Sequence, residues 1–338
     1  MPFVSLKDVA ARAGVSFQTV SKVLKGSPVH VSEATRARVL EGARELGYVP
    51  NAVARGLATQ STSAIGIVAG DLADWSLSQF VVGAEREARR RGHAVLITSA
   101  RGEPDDTAAC VRALVERRVH GIVAAAPQLE HDRELARLLR DVPTVSIHHV
   151  PGGGVSLVGS DHRVSGRLAV EHLASLGHRR IATITGPPDR RVVSRLHGYR
   201  EALAAAGIAP DPVLVEAADW TPEGGYQATL RLLDRAPDLT ALFAQNDLMA
   251  MGALSALQRR GRAVPGDIAV VGCDDLPMVV HTVPALTTVH LPFTETGARA
   301  VSLLLEQIRK DGGPRPERVL LPVRLVVRGS CGGGSDDD

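Results

Sequence analysis

The sequence predicts a small all-α head followed by an α/β core of two doubly wound parallel-sheet lobes. Three observations carry that reading. Residues 1–47 hold three short helical patterns with capping residues and a glycine turn between the first two. From residue 64 onward short apolar runs alternate with helical stretches, the rhythm of βαβ units. That rhythm comes in two successive sets, one for each lobe.

In order along the chain, Ser5 with Asp8 three residues later is a capping-box pattern that opens a helix over Leu6–Ala13. Gly14 supplies a turn, and Ser16 caps a second helix ending near Leu24. Helical spacing puts Val20, Val23 and Leu24 on one stripe and turns Phe17, Gln18, Ser21 and Lys22 away from it. After a loop with Gly26 and Pro28, Ser32 caps a third helix with Val39, Leu40, Ala43 and Leu46 on one face, and Gly47 stops it. Helix, glycine turn, helix is the helix-turn-helix arrangement. Asn51–Ala58 has room for two helical turns, too short to hold in water without a partner.

Strands are expected at 64–68, 94–98, 121–125 and 144–147 in the first set and at 180–184, 241–244 and 268–272 in the second. The helices between them are expected at 78–91, 105–117 and 131–140, then near 195–206, 223–235 and 247–260. Gly152–Gly154 read as a turn before a strand. The domain organisation is therefore a head at 1–47, a linking segment at 48–63, a two-lobed core at 64–328 and a disordered Gly, Ser and Asp tail at 329–338. In doubly wound sheets ligands sit beyond the carboxyl ends of the strands, so a crevice between the lobes is the expected site.

Composition narrows the classes. The 338 residues are 44% hydrophobic, enough for packed cores, yet no apolar run approaches the ~18 residues of a membrane span. The start, MPFVSLKDVAARAG, lacks the long apolar stretch of an export signal, so the cytoplasm is the expected address. Cys110, Cys273 and Cys331 are isolated from one another and read as reduced thiols. Net charge is +2, but residues 1–60 carry eight Lys or Arg against four acids, a local +4 that leaves −2 for the rest. A polyanion-binding module places its charge in this way. No G-x-G-x-x-G follows a strand and no phosphate-loop motif occurs. His148–His149, His172 and His178 lack metal-ligand spacing. Asp274 and Asp275, read on an extended chain, point to opposite sides and make a poor acid–base pair. No catalytic residue, cofactor or metal is expected.

Seven stretches, SLKDVAARAGVSFQTVSKVLKG, VSEATRARVLEGARELGYVPNAVARGLA, AVEHLASLGHRRIATITGP, SRLHGYREAL, ALFAQNDLMAMGAL, DIAVVGCDDLP and PALTTVHLPF, occur in one order over residues 4–328. In these the chain resembles the lactose repressor (LacI) type of bacterial transcription regulator. The resemblance implies a helix-turn-helix DNA-binding head, a hinge helix, and a core shaped like a periplasmic sugar-binding protein of type I. It implies double-stranded operator DNA, a small-molecule effector and a second copy of the chain as partners.

On that resemblance Phe17, Gln18 and Lys22 match the positions that discriminate operators. Gln can pair with adenine, Lys can donate to guanine, and an aromatic ring can press on a thymine methyl. Phe17 and Lys22 replace the Tyr and Arg of close relatives, so operator preference is not transferable. Ser16, Thr19, Ser21 and Asn51 are candidate phosphate contacts, and Leu57 is the candidate wedge that kinks DNA from the minor groove, with an ordinary core leucine as the alternative.

In the core, Asn246 and Asp274 follow the runs ALFA and IAVVG, where strand ends face the crevice, and both suit sugar hydroxyls. Arg195 matches the family's ligand-contacting arginine, and Trp220 offers a flat face to a pyranose or else a half-buried interlobe ring. Phe293 is either pocket wall or core, and Asp247 either holds backbone or caps the helix that follows. His148 stands where the lactose repressor has a sugar-binding aspartate, and Leu291 where it has glutamine. Asp74, Trp75 and Phe80 fall in the first-lobe segment that closes over ligand. The expectation is a homodimeric repressor of sugar-utilisation genes released by a glycoside. Alternatives are the same fold with a purine or other co-repressor, an exported sugar-binding protein and an enzyme. The absence of heptads near the end favours a dimer over a tetramer.

Overall fold

A computed structural model describes residues 4–24, 31–49, 62–100, 104–127, 133–139, 142–148, 150, 154–309 and 316–332. The candidate positions Asn51 and Leu57 lie outside the described residues. The chain divides into two compact units, 1–62 and 63–338.

The first unit contains helices α1 (Leu6–Ala13), α2 (Phe17–Leu24) and α3 (Glu33–Glu45). Ser5 and Asp8 form the reciprocal capping box, and hydrogen bonding to Ser5, first to its backbone, holds the Asp8 carboxyl below its usual value. Gly14 turns the chain in the left-handed region at φ 62°. Ser16 Oγ accepts from Thr19 N at 3.2 Å, and Ser32 caps α3 through Thr35 N. Val9, Ala10, Ala13, Val20, Val23, Val39 and Ala43 make one core. Leu40, expected on the inner stripe, is 49% exposed; Gly42 is buried instead, because the helix turns its 39/42/43 edge toward α1 and α2.

The second unit has two sheets of six strands. Lobe one is ordered β11-β5-β4-β3-β1-β2, from β1 (Ala64–Ala69), β2 (Ala94–Ser99), β3 (Gly121–Ala125), β4 (Thr144–Ser146), β5 (Ser156–Ser160) and β11 (Arg318–Leu321), with every pair parallel. Lobe two is ordered β12-β10-β9-β8-β6-β7, from β6 (Ile181–Thr185), β7 (Val215–Ala217), β8 (Ala241–Ala244), β9 (Ala269–Asp274), β10 (Thr287–His290) and β12 (Arg324–Val326), with only β12 antiparallel to its neighbour. The central strands β1, β3, β8 and β9 are buried throughout, as sheets covered on both faces require.

Lobe one is covered by α4 (Trp75–Arg90), α5 (Pro104–Glu116), α6 (Arg133–Leu138) and α11 (Phe293–Arg309), and lobe two by α7 (His162–Ser175), α8 (Arg190–Ala205), α9 (Pro222–Arg235) and α10 (Asp247–Arg259). The lobes are not two consecutive halves. The chain leaves lobe one after β5, returns after β10 to supply α11 and β11, and ends in lobe two. The stretch from residue 329, expected to be disordered, begins with a buried 3-10 turn at Gly329–Cys331. Ser330 Oγ donates to Val270 O at 2.6 Å and accepts from Thr287 N, while Cys331 packs in the core under α7 and α8. These two side chains have partners on the sheet that composition alone does not reveal.

Candidate functional site

In the head, α2 buries Val20 and Val23 and leaves Phe17 48% exposed with Gln18 and Lys22 exposed beside it. Ser21 is half-buried. The Ser16 and Thr19 hydroxyls lie 2.9 Å apart and serve the helix cap, so their side chains are already engaged. The structure thus leaves Phe17 and Gln18, at the start of α2, and Lys22, in its last turn, exposed together on the helix.

In the core, the carboxyl ends of the lobe-two strands carry the second group. Arg195 comes from α8 and is 5% exposed. One of its terminal nitrogens is 3.9 Å from Asp274 Oδ1, and its guanidinium carbon is 5.9 Å from the Trp220 ring centroid. Asp274 ends β9 at φ 128° and Asp275 follows at φ 62°, so this pair does not lie on extended chain as the sequence suggested. The two side chains still diverge: Asp275 is held by Arg328 at 2.7 Å and His290 at 3.0 Å. Burial, the largest influence, pushes the Asp274 carboxyl well above its usual range; Arg195 opposes this, and the charges of Asp247 and Asp74 add to it. Asp74 is exposed and caps α4 through Leu77 N at 3.0 Å.

Trp220 adopts φ 69°, a conformation rare for a bulky side chain, and its indole packs against Gly186 just beyond β6. Any side chain at 186 would overlap the ring. Asn246 fixes this arrangement. Its Nδ2 donates to Trp220 O at 3.0 Å while Oδ1 accepts from Met249 N at 2.8 Å, which makes it the cap of α10. One amide hydrogen remains for a ligand. Asp247 is accordingly not the cap; it accepts from Leu276 N at 2.8 Å and Thr288 Oγ1 at 2.5 Å, and so holds backbone.

His148 is buried in lobe one, and His162 stands at the start of α7. Burial first, then Arg195, Arg191 and His148, keep the His162 imidazole well below its usual value and therefore neutral. Phe293 opens α11 and meets Trp75 edge-on, with centroids 6.3 Å apart at 86°. Trp75, from a lobe-one helix, packs against the lobe-two cluster of Ala182, Ile184 and Leu242. Phe80 does not join this group: it is 1% exposed within the lobe-one core, because the inner stripe of α4 faces the sheet. Leu291 is likewise core.

His162, Gly186, Arg191 and Gln245 escaped the sequence reading. Gly186 had a signal, a glycine directly after a strand in ATITGP. The others had none, since their proximity comes from separate elements. Together the residues offer a guanidinium fork, a buried carboxyl and a flat aromatic face, a set that suits a polyhydroxylated ring with one apolar side. Among the described residues no three His, Cys, Asp or Glu side chains converge on a metal position.

A helix-turn-helix head followed in the chain by a two-lobed core with these groups at its strand ends defines the class of ligand-responsive DNA-binding regulators. Residues 5–51 match the domain described as bacterial regulatory proteins, lacI family, and residues 170–331 match the periplasmic binding protein-like domain. The HTH-type transcriptional regulator CelR of Thermobifida fusca is 39% identical, over 96% of this chain and 98% of that one. Among solved structures, the Lac repressor dimer bound to operator and the anti-inducer ONPF superimposes with a TM-score of 0.87 at 33% identity, over 98% of this chain and 99% of that one. The CelR–cellobiose complex gives 0.74 at 38% identity, over 97% and 99%. The chain belongs to the lacI family of bacterial regulatory proteins, which are DNA-binding transcription regulators and not enzymes.

Proposed function

We propose that this protein represses carbohydrate-utilisation genes from the cytoplasm, holding a pseudo-palindromic operator as a homodimer and leaving it when a mono- or disaccharide fills the crevice. The observation that carries the ligand class is the buried Arg195 between the Asp274 carboxyl and the Trp220 ring. A guanidinium and a carboxyl read hydroxyls, and the indole face accepts the C–H side of a sugar ring. Asn246, with its spare N–H, and His148 extend the polar lining, with Asp74 and Phe293 at its margin.

On the DNA side, Gln18 and Lys22 reach base edges and Phe17 packs on a thymine methyl. Asn51 takes a phosphate and Leu57 the wedge position that the family resemblance implies. The effector acts through its differential affinity for the two states of the core, a coupling of typically ~1–3 kcal/mol. Cellobiose, bound by the related CelR, belongs in the first set of effectors to try.

The test is release of the full-length protein from its own upstream duplex by a panel of mono- and disaccharides, cellobiose included. Release by one sugar at concentrations where its epimers fail supports the reading. Binding to that duplex no tighter than to random DNA removes the regulator reading, and tight binding that no sugar alters removes the saccharide.

A further inference from the structure

The α7/α8 side of the lobe-two sheet holds polar groups that apolar packing does not explain. Gln245 is fully buried, and neither its amide oxygen nor its amide nitrogen has a hydrogen-bond partner. Thr183 on β6 is fully buried with an unpartnered hydroxyl, and Arg195 Nε is buried and unpartnered too. Buried polar groups are almost always satisfied in native proteins, so three exceptions in one lobe call for a function.

Their placement follows from the topology. Phe243 packs in the cluster beneath α7 and α8, and alternation along the strand puts Gln245 on the same face. Gln245 N donates to Ile184 O at 2.9 Å, which carries the strand pairing through this residue. In the sheet β8 lies between β6 and β9. Arg195 reaches Asp274 at the end of β9 on one side and, on the other, the Trp220 ring seated on Gly186 just past β6. The strand order therefore sets Gln245, at the end of β8, between the strand ends that carry Asp274 and Gly186.

We infer that Gln245 is an effector-reading residue, whose amide works with Arg195 Nε as a donor–acceptor pair for adjacent oxygens at the deepest part of the crevice. The inference rests on the saccharide reading above and adds a specificity determinant to it. An amide both donates and accepts, so it pairs with a hydroxyl that does the same, and a vicinal diol places a second oxygen beside Nε. A deoxy sugar leaves the buried amide unpaired and is rejected for that reason.

The experiment compares full-length wild type with Gln245→Met, which keeps the length and removes the polar atoms. Thermal unfolding is measured without sugar, and operator release is measured with each saccharide that releases the wild type. The expected result is an unfolding midpoint at or above wild type, unchanged operator affinity without sugar, and about a tenfold higher concentration for half-release. A lowered midpoint shows an amide that is satisfied within the protein and overturns the inference, as does an unchanged half-release concentration. Should no saccharide release the wild type, the saccharide reading fails on its own, and the midpoint still decides whether the amide is unpaired in the free protein.

Discussion

Asp247 shows how one buried carboxyl sets both a local geometry and a pH dependence. Burial is the largest influence on it and raises it to about 6 from an ordinary 3.8, against hydrogen bonds from Thr288 and Leu276 that favour the charged form. The folded state therefore holds this proton more tightly than the unfolded chain does. The stabilisation is complete below about pH 4 and is lost as pH rises through about 6. Asp247→Asn removes the titration, so the variant should gain stability relative to wild type as pH climbs through that window, by up to about 1.4 kcal/mol per pH unit. Denaturant unfolding at several pH values checks this, and a difference that stays constant with pH contradicts it. The sequence offered Asp247 as backbone holder or cap because Asn and Asp both cap well. Asn246 takes the cap, which frees Asp247 for Leu276 and Thr288, residues no local pattern connects to it.

The helices that carry the site are set by glycines. Gly166 of α7 and Gly198 of α8 face each other's backbone: an added methyl would overlap the carbonyl of Arg195 in one case and of Arg163 in the other. The α4/α11 crossing repeats the device with Gly83 and Gly297, and α9/α10 with Gly225 and Gly252. Because Arg195 itself supplies backbone to the α7/α8 crossing, the spacing of that pair sets where its guanidinium lies. Gly198→Ala should lower stability by about 1–3 kcal/mol through overpacking, and should raise the sugar concentration needed for operator release. Wild-type stability with a wild-type sugar response would show that the crossing has slack. The head helices, six core helices and the central strands were legible because caps and apolar periods are local signals, whereas α7, α11 and the strands β7, β10, β11 and β12 were not read from the sequence. The pairing of glycines across helices was not, since each is an isolated glycine within a helical pattern until its partner is known.

In the second unit, the crevice is where the two lobes share residues. Trp75 starts a lobe-one helix yet packs on lobe two, and Phe293 opens a lobe-one helix while packing against the α7/α8 cluster. The chain has two tryptophans, Trp75 and Trp220, and both pack against the same lobe-two cluster. Intrinsic fluorescence is therefore a direct readout: a sugar that releases the operator should shift tryptophan emission, and Trp220→Phe should remove a large part of the change. Emission unaffected at saturating effector would place the ligand elsewhere. The amino-acid order alone was enough to predict the capped helix-turn-helix, the alternation that defines doubly wound lobes, and the strand-end positions of Asn246 and Asp274, because periodicity, caps and strand ends are properties of neighbouring residues; Arg195 and Trp220 were singled out by the family resemblance. It did not reveal that α11 and β11 return to lobe one, that Phe80 is core, that Gly329–Cys331 packs on the sheet, or that the Gln245 amide is buried without a partner. Those depend on which distant segments meet when both faces of each sheet must be covered, and burial of that kind is decided by the whole packing at once.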